Sequence, residues 1–510
     1  MMKKLFCILF SFSIVLFVKA QTQPNIVVII SDDHAYQAIS AYGSKFAQTP
    51  QIDRLAKEGA IFTKAYVTNS ICGPARAAFL SGNYSHINGF KDNENSNFNF
   101  NQDIFVKRLQ AVGYQTAWIG KMHLGDSIPK GFDYYSILPG QGQYYNPDFI
   151  ETGNKTKHYN GYVTNVITDL SEQWLNNRDA KKPFCLVIGH KATHRTWFPD
   201  LQDLGKYDTV NFPLPHTFYD NYKTRKAAQV QDMTIAKTMR MGYDLKMFDS
   251  IAEAQKMLSI KRMTTEQQNT FINYYNQIHN QLNTKKLQGN ALTEWKYQRY
   301  MKDYLATAAS LDRNIGRILD YLDEKRLSEN TIVIYLSDQG FYMGEHGWFD
   351  KRFMYEPSFR TPMLMRYPGV IQAGTTVKDF IMNIDLAPTL LEAGKAKVPA
   401  TMQGQSFLPL ISNKKYQARN TLYYHYYENG EHAVSPHFGI KTKRYKLIRF
   451  YKRIESWELF DLKKDPDELY NLYNTRKGKR ISQKLKKDLL YAIEQYKDEE
   501  ARELFFKRVF

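Results

Sequence analysis

Two apolar runs, each followed by the same short polar motif, constrain the fold of this chain more than any other feature. Residues 25–30 (NIVVII) precede Ser-Asp-Asp, and residues 331–336 (TIVIYL) precede Ser-Asp-Gln. Unbroken β-branched runs are typical of central strands that a parallel sheet buries on both faces. Residues 183–189 form a third such run, and helical patterns lie between the runs at residues 51–59, 104–112 and 165–177. The alternation predicts an α/β layered domain with a mainly parallel central sheet flanked by helices.

Oxygen-bearing side chains follow both matched strands. Asp32 and Asp33 come after the first strand, and Asp338 and Gln339 come after the second. Ligands of such sheets bind at the carboxyl ends of the strands. Carboxylate and amide oxygens, with no thiolate or imidazole, suit Ca²⁺ or Mg²⁺. An Asp pair after a strand is also a common turn or helix cap, but the recurrence of the motif favours a metal site.

The rest of the chain divides by composition. Residues 205–300 are rich in Lys, Gln, Met and Tyr and are predicted to form a helical insertion that runs into a long helix at residues 295–325. From residue 395 the pattern changes to alternating strands, an Asn-Gly hairpin signal at residues 429–430, and a basic amphipathic helix from Arg480. We therefore predict a catalytic domain over residues 21–394 and a smaller C-terminal α+β domain with an antiparallel sheet over residues 395–510.

The first twenty residues are typical of a signal peptide, with a basic start, an apolar stretch and a small-residue cleavage site. We expect an exported protein, periplasmic or extracellular, without stable membrane insertion, because no later segment has about 20 consecutive apolar residues. The formal net charge is +18, which suits a polyanionic partner. No nucleic-acid-binding motif is present, so a sulfated or otherwise acidic polysaccharide fits better. The excess charge could also serve solubility alone.

A cysteine at a predicted helix start is the most informative local feature. In residues 70–82 (SICGPARAAFLSG), Pro74 suits the first helical turn. Cys72 then lies where the helix dipole favours negative charge, and Arg76 lies four residues on, over the same face. A free cysteine is more often a small buried apolar residue, and that interpretation fits Cys185, which lies inside a predicted strand.

Cys-x-Pro-x-Arg followed by Leu-Ser-Gly resembles the signature of the type I, formylglycine-dependent sulfatases. The resemblance covers nearly the whole chain and includes TPxxDxLAxxG (residues 49–59), GKMHLG (120–125), KATH (191–194), GEHG (344–347) and ELFDL (458–462). It implies an alkaline-phosphatase-like layered fold. It also implies that a separate formylglycine-generating enzyme converts Cys72 to formylglycine (3-oxoalanine), an aldehyde that is hydrated at rest.

The resemblance implies a role for each matching residue. A divalent cation, Ca²⁺ rather than Mg²⁺, is expected at Asp32, Asp33, Asp338, Gln339 and the modified Cys72. Gln339 departs from the more common Asn, a change that affects geometry only. Arg76 and Lys121 are expected to stabilise the hydrated aldehyde and the sulfate, His123 to act on the formylglycine hydroxyl, and His194 and Lys351 to face the leaving oxygen.

These roles agree with the chemistry of a sugar sulfate. Its leaving group is a strongly basic alkoxide, so catalysis needs cations around the sulfuryl oxygens and a proton donor at the bridging oxygen. One hydroxyl of a geminal diol can attack sulfur, and the other can then lose its proton to expel sulfate. His123 is the expected base for that second step.

The predicted substrate follows from the same resemblance. Residues 337–360 resemble bacterial glycosaminoglycan sulfatases, particularly N-acetylglucosamine-6-sulfatases. We expect an exo-acting enzyme for 6-O-sulfated glucosamine in heparan-type chains, with Asp350, Arg352 and His437 contacting sugar hydroxyls. The alternatives are a sulfatase for another position (2-O-sulfated uronate, galactose or N-acetylgalactosamine sulfate), a phosphate or phosphonate ester hydrolase, and a non-catalytic protein that binds sulfated glycans.

Overall fold

The structure is a computed structural model that describes residues 23–412 and 415–507. Its strands are β1 (Asn25–Ser31), β2 (Ala60–Phe62), β3 (Ala65–Tyr66), β4 (Gln115–Lys121), β5 (Tyr134–Leu138), β6 (Asp148–Glu151), β7 (Lys155–His158), β8 (Phe184–Gly189), β9 (Thr331–Ser337), β10 (Arg360–Thr361), β11 (Met363–Arg366), β12 (Thr375–Val377), β13 (Ile381–Met382), β14 (Thr421–Tyr426), β15 (His437–Thr442), β16 (Tyr445–Phe450) and β17 (Ser456–Asp461). Its helices are α1 (Pro50–Glu58), α2 (Cys72–Ser81), α3 (Ser85–Asn88), α4 (Phe105–Ala111), α5 (Val163–Asn177), α6 (Lys226–Val230), α7 (Ile251–Ala254), α8 (Leu258–Lys261), α9 (Thr265–Lys285), α10 (Gly289–Glu324), α11 (Glu356–Phe359), α12 (Leu386–Ala393), α13 (Leu408–Ile411), α14 (Arg476–Tyr496) and α15 (Glu499–Phe506).

The three predicted apolar strands lie at the centre of one large mixed sheet. In the described chain its order is β12-β2-β11-β9-β1-β8-β4-β5-β6-β7. The central strands β9, β1, β8, β4 and β5 are parallel, whereas β11 and β6 join the sheet antiparallel. Ser31 pairs with Ser337 across β1 and β9, so the polar motifs that follow these strands are neighbours. The predicted layered α/β fold is confirmed.

Both faces of the central sheet are buried, which explains the lack of polar alternation in β1. Val27 and Ile29 belong to the core cluster that also contains residues of α5 and α10. Ile26, Val28 and Ile30 belong to the opposite cluster, with residues of α2, α4 and α12. Each strand therefore removes apolar surface from water on two sides, at roughly 25 cal/mol per Å² buried.

A smaller antiparallel sheet, in the order β14-β15-β16-β17, follows in the sequence. Helix α14 packs on it through Leu485, Leu489 and Ile493. The antiparallel sheet and basic helix were both predicted, but the turns differ. The Asn429-Gly430 signal does not make a tight hairpin, because a 3₁₀ turn at Glu431–Ala433 separates β14 from β15. The two paired strands β15 and β16 follow that turn.

The predicted helical insertion is only partly helical. Helices α9 and α10 account for its end, but residues 205–264 are mostly loops with three short helices. Pro213 and Pro215 lack the N–H groups that a helix interior needs. Within this irregular segment Phe212, Phe218 and Phe248 are buried. The apolar residues of the segment therefore fill gaps in the core and do not line one face of a helix.

The predicted signal peptide, residues 1–20, lies outside the described residues. Among residues 23–412 and 415–507, no helix combines the length and apolar character needed to cross a bilayer.

Candidate active site

Three carboxylates meet where β1 and β9 end. Asp32, Asp33 and Asp338 are at most 3% exposed, and one carboxylate oxygen of each lies within 4.8 Å of the others. The backbone N–H of Asp33 donates to Asp338 Oδ1 at 3.1 Å, and Asp33 has a φ of 64°. Aspartate tolerates this left-handed conformation better than most residues, and the bend turns its carboxyl away from the strand.

Cys72 begins helix α2 beside these carboxylates. Its Sγ lies 3.3 Å from Lys351 Nζ and 4.0 Å from Gln339 Nε2, and the residue is 1% exposed. The next position has to be glycine, because a Cβ on Gly73 would lie 2.5 Å from Asn93 Oδ1 and 2.9 Å from the His123 carbonyl oxygen. The helix start thus approaches the neighbouring loops closely and holds Cys72 at the carboxylate cluster.

A different cation contacts each of the three carboxylates. Lys121, the last residue of β4, donates to Asp32 and to Gln141. Lys351 Nζ lies 2.6 and 2.7 Å from the two oxygens of Asp33. Arg76 Nε donates to Asp338 Oδ2 at 2.9 Å. The three acids and their three cations therefore form a closely packed, buried ionic cluster.

Several buried polar atoms of the cluster have no partner in the described protein. They are Asp32 Oδ1, Gln339 Oε1 and Arg76 Nη2. Unpartnered buried polar groups are expensive, so such atoms usually meet an ion, water or ligand. Hard oxygen atoms beside crowded carboxylates fit a divalent cation, whereas a free guanidinium N–H fits an anion.

Burial and mutual repulsion perturb the three acids differently. Burial, with Asp32 and Asp338 nearby, raises the pKa of Asp33 to about 7 despite Lys351. Burial and Asp32 raise the pKa of Asp338 to about 6. Burial also opposes ionisation of Asp32, but Lys121, His194 and Arg76 outweigh it and hold the pKa of that carboxyl well below its ordinary value. A dication would relieve this crowding of negative charge.

Two histidines adjoin the cluster. His194 Nδ1 lies 2.6 Å from the Arg195 carbonyl oxygen, which can only accept, so Nδ1 carries the hydrogen. His194 Nε2 faces Asp33 Oδ2 at 3.9 Å. His123 Nδ1 is buried and has no hydrogen-bond partner among the described residues. Burial is the largest cause that lowers the pKa of both rings, and it favours the neutral form of each imidazole.

A cavity of about 280 Å³ opens onto Cys72, Asp33, His194 and Lys351. Asp350 and Arg352 line it too, with φ values of 81° and 92° that are unusual for residues with a side chain. Such backbone strain is concentrated at functional sites. Asp350 Oδ2 lies 3.2 Å from His432 Nε2, and Arg352 Nη1 lies 3.3 Å from Glu428 Oε2. Sequence analysis had selected both Asp350 and Arg352.

The predicted sugar contact of His437 is wrong. This residue is fully buried, its Nδ1 donates to the Ser435 carbonyl oxygen at 2.8 Å, and its Nε2 accepts from the Met354 N–H at 3.0 Å. Both ring nitrogens are therefore satisfied inside the C-terminal core. His432, five residues earlier in a loop, occupies the position beside Asp350 instead.

Sequence analysis missed several residues of the cavity. Arg195 directly follows His194 in a segment that the family resemblance already marks, so its position was available as a signal. Gln141, Tyr243 and Glu428 carried no local signal, because each reaches the cavity from a loop or strand end remote in sequence. A second cavity of about 480 Å³ adjoins the first and shares Gln141, His194, Arg195 and Tyr243 with it.

Known proteins share the sequence and the fold of this chain over most of its length. The family model for sulfatases matches residues 24–396, and the model for the C-terminal part of N-sulphoglucosamine sulphohydrolase matches residues 344–495. An N-acetylglucosamine-6-O-sulfatase of Bacteroides thetaiotaomicron is 46% identical over 500 residues, which is 94% of this chain and 88% of the relative. The solved structure of BT4656 in complex with its substrate D-glucosamine-2-N,6-O-disulfate has a TM-score of 0.91 and 45% identity, covering 93% of this chain and 98% of that one.

The chain belongs to the sulfatase family, and its class of reaction is the hydrolysis of sulfuric esters. The fold alone would not decide the class of reaction, because a hydrolase of a different ester has a similar fold. The phosphonate monoester hydrolase of Agrobacterium radiobacter has a TM-score of 0.68 at 18% identity, covering 93% of this chain and 96% of that one.

Proposed function

We propose that this protein removes the 6-O-sulfate from a terminal glucosamine unit, N-acetylated or N-sulfated, of a heparan-type glycosaminoglycan. The observation that carries the proposal is the single cavity that joins Cys72 and the carboxylate cluster to Asp350 and Arg352, in a chain so similar to an N-acetylglucosamine-6-O-sulfatase. A sugar sulfate bound in this cavity would contact the proposed reaction groups and the proposed sugar-binding groups at the same time.

The donor set supports a bound Ca²⁺ held by Asp32, Asp33, Asp338 and Gln339, with residue 72 as a further ligand. The unpartnered oxygens of Asp32 and Gln339 support this assignment, and the ion would act as a Lewis acid toward a sulfate oxygen. The three carboxylates already contact three cations, so an added dication would give the site the excess positive charge that an anionic ester needs.

Cys72 is proposed to be converted to formylglycine by a separate maturing enzyme. As a thiol it is poorly suited to be the nucleophile, since burial, with Asp32 close by, raises its pKa. The hydrated aldehyde would supply an oxygen nucleophile whose second hydroxyl allows sulfate to leave.

The surrounding residues support an assignment of the proton and charge steps. Arg76 Nη2 is a buried donor available to a sulfate oxygen, and Lys121 and Lys351 are further fixed cations. His194 is proposed to take up a second proton at Nε2 when the anionic substrate binds and to pass that proton to the leaving sugar oxygen, while its Nδ1 hydrogen stays bonded to the Arg195 carbonyl oxygen. His123, with an unpartnered Nδ1, is the proposed base at residue 72.

Substrate contacts are proposed at the opposite wall of the cavity. Asp350 can accept from sugar hydroxyls and Arg352 can donate, while His432 takes the place first given to His437. The adjoining cavity of about 480 Å³ supports a longer glycan whose terminal sugar carries the sulfate.

We also propose that the protein is exported to the periplasm or the cell exterior. We further propose that it divides into a catalytic domain of residues 21–394 and a C-terminal domain of residues 395–510. The matches to the two family models overlap at residues 344–396, almost entirely on the N-terminal side of that boundary.

The test is sulfate release by enzyme matured together with a formylglycine-generating enzyme. The panel contains 6-sulfated N-acetylglucosamine and N-sulfoglucosamine, 2-O-sulfated uronate disaccharides, galactose and N-acetylgalactosamine sulfates, and a phosphonate ester, with Cys72→Ala as control. We expect release from the 6-sulfated glucosamines alone. Release only from another sugar would overturn the substrate assignment, phosphonate cleavage alone would overturn the reaction class, and unchanged turnover by Cys72→Ala would overturn the mechanism.

A further inference from the structure

The first half of helix α14 carries an unusual concentration of positive charge. Residues 476–487 (RKGKRISQKLKK) contain seven Lys and Arg and no acid; six of the seven are exposed, and Lys486 is half-buried. Leu485 and Leu489, on the opposite side of the helix, pack in the core. The charges therefore form one outward-facing stripe, which we call the cationic stripe: Arg476, Lys479, Arg480, Lys484 and Lys487.

Folding stability does not account for this stripe. Within the described part of the chain, Lys477 is the one cation of the seven with a carboxylate within 4 Å, Asp461 at 3.7 Å. Arg476, Arg480 and Lys484 follow at intervals of four, a spacing at which like charges destabilise a helix. The first helical turn favours acids, and here it has none.

A groove of about 460 Å³ adjoins the stripe. Its lining includes Lys486 from α14, Trp457 and Tyr473, and the exposed Phe506 and Lys226. Lys486 Nζ donates to Tyr473 OH at 2.7 Å and lies 4.4 Å from the Trp457 ring centroid. Ser456, only 9% exposed, also lines the groove, and its Oγ has no partner in the described structure. The groove shares no residue with the reaction cavity.

We propose that the cationic stripe and this groove form a second binding site, for a sulfated glycan chain. The proposal rests on the proposed function, because that function makes a sulfated glycan the polymer this protein meets. Sulfate and carboxylate groups would pair with the stripe, while sugar rings would lie against the aromatic side chains and bond Ser456. A chain held there raises the concentration of its sulfated ends near the reaction cavity.

Two matched charge variants test the proposal in the full chain. Both carry Cys72→Ala, so that ligand is bound without turnover. The first is K479E/R480E/K484E/K487E; the control, K155E/K181E/K182E/K285E, changes the net charge equally at exposed positions outside the stripe. Affinity for long heparan sulfate chains is measured over a series of salt concentrations.

We expect the stripe variant to bind at least about tenfold more weakly and with a smaller salt dependence, because each contact that forms releases counterions and the variant forms fewer contacts. The control should change by less than about threefold, through long-range charge alone. Equal losses in both variants would overturn the site. A duplex DNA that binds the stripe as tightly as heparan sulfate would overturn the assigned partner.

A second pair of substitutions tests the groove. Lys226→Ala with Phe506→Ala, both exposed, should weaken binding of long chains with unchanged thermal unfolding; an unchanged affinity would remove the groove from the proposal. The same changes in enzyme with an intact Cys72 should leave hydrolysis of the 6-sulfated monosaccharide unchanged. The hydrolysis assay separates the two proposals. If the wild-type enzyme does not hydrolyse the 6-sulfated monosaccharide, the proposed function is refuted, whereas the measured affinity for long chains still decides the second binding site.

Discussion

Lys351 and Cys72, 279 residues apart in the chain, lie in contact, with Nζ 3.3 Å from Sγ. The same ammonium group bonds both oxygens of Asp33. Burial opposes its charge, but Asp33 and Cys72 outweigh burial and raise the pKa of Lys351 well above its ordinary value. Lys351 is therefore a permanent cation that joins the carboxylate cluster to the expected nucleophile.

Lys351→Ala should lower kcat by about 10²–10⁴, the range for loss of a positioned charge or proton donor in the transition state. Steady-state kinetics on 6-sulfated N-acetylglucosamine would measure the loss. The matched control is Lys325→Ala, an exposed lysine at the end of α10, which should behave as wild type. A loss below fivefold in Lys351→Ala would contradict the role.

Metal removal should abolish turnover and lower the thermal midpoint. A divalent ion that binds only the folded protein adds about 2.7 kcal/mol when present at 100 times its Kd. Calorimetry of chelated enzyme with added Ca²⁺ or Mg²⁺ would measure this effect and identify the preferred ion. Gln339→Ala should reduce the rise in thermal midpoint that the added ion causes. Asp249→Asn, at an exposed carboxylate, should leave that rise unchanged. Full turnover in enzyme shown to contain no metal would contradict the prediction.

His432 and His437 should behave oppositely when each is changed to alanine. His432→Ala removes the partner of Asp350 and should lower kcat/KM for the sugar sulfate by about 10- to 100-fold, or roughly 1.4 to 2.7 kcal/mol, with little change for a small aryl sulfate. His437→Ala removes a buried ring with two hydrogen bonds and should destabilise by about 1–3 kcal/mol, measured by urea unfolding, with kcat/KM retained. The reverse pattern would restore the original assignment of His437.

Asp498 should make the C-terminal packing sensitive to acid. Its carboxylate accepts from Tyr423 OH at 2.8 Å and from His425 Nδ1 at 2.7 Å, and its other oxygen caps α15 at the Ala501 N–H. Burial opposes ionisation, but His425 and His86 hold the pKa of Asp498 well below its ordinary value. Because the folded pKa is the lower one, this stabilisation is complete above about pH 4, the unfolded value, and is lost progressively as the pH falls below it.

Asp498→Ala tests that statement by chemical unfolding at pH 7 and pH 3. It should cost about 3–5 kcal/mol at pH 7, since it breaks a buried charged network. At pH 3, about one unit below the unfolded pKa, it should cost about 1.4 kcal/mol less. Asp249→Asn serves again as the exposed control. An equal cost for Asp498→Ala at both pH values would show that the charge contributes nothing.

The parts of the site that sequence could predict are those tied to a local pattern. Asp32 and Asp338 follow strands whose apolar runs mark them as central, and the register of β1 on β9 brings them together. Cys72 and Arg76 share one helix start. The other proposed catalytic positions were available only through the family resemblance, since Lys121 and Lys351 reach the cluster from elements far apart in the chain.

The errors arose where tertiary packing decides the outcome. His432 and His437 lie five residues apart with no periodic signal between them. Only the position of the β14–β15 connection determines that His432, and not His437, lies beside Asp350. Residues 205–264 carry apolar side chains at irregular spacing, and these fill spaces beside α10 from loops. Tyr243 reaches the cavity from that segment, so no local pattern could have identified it.

The burial of Cys72 also sets an order of events during biogenesis. Only 1% of the residue is exposed, and the cavity above it admits a sugar but not another protein's catalytic groove. Any enzyme that modifies this side chain must therefore reach it while α2 is still unpacked. One of the three carboxylates, Asp338, directly follows β9 and is made more than 250 residues after Cys72. A nascent chain therefore leaves that residue open to a modifying enzyme for about half of its synthesis.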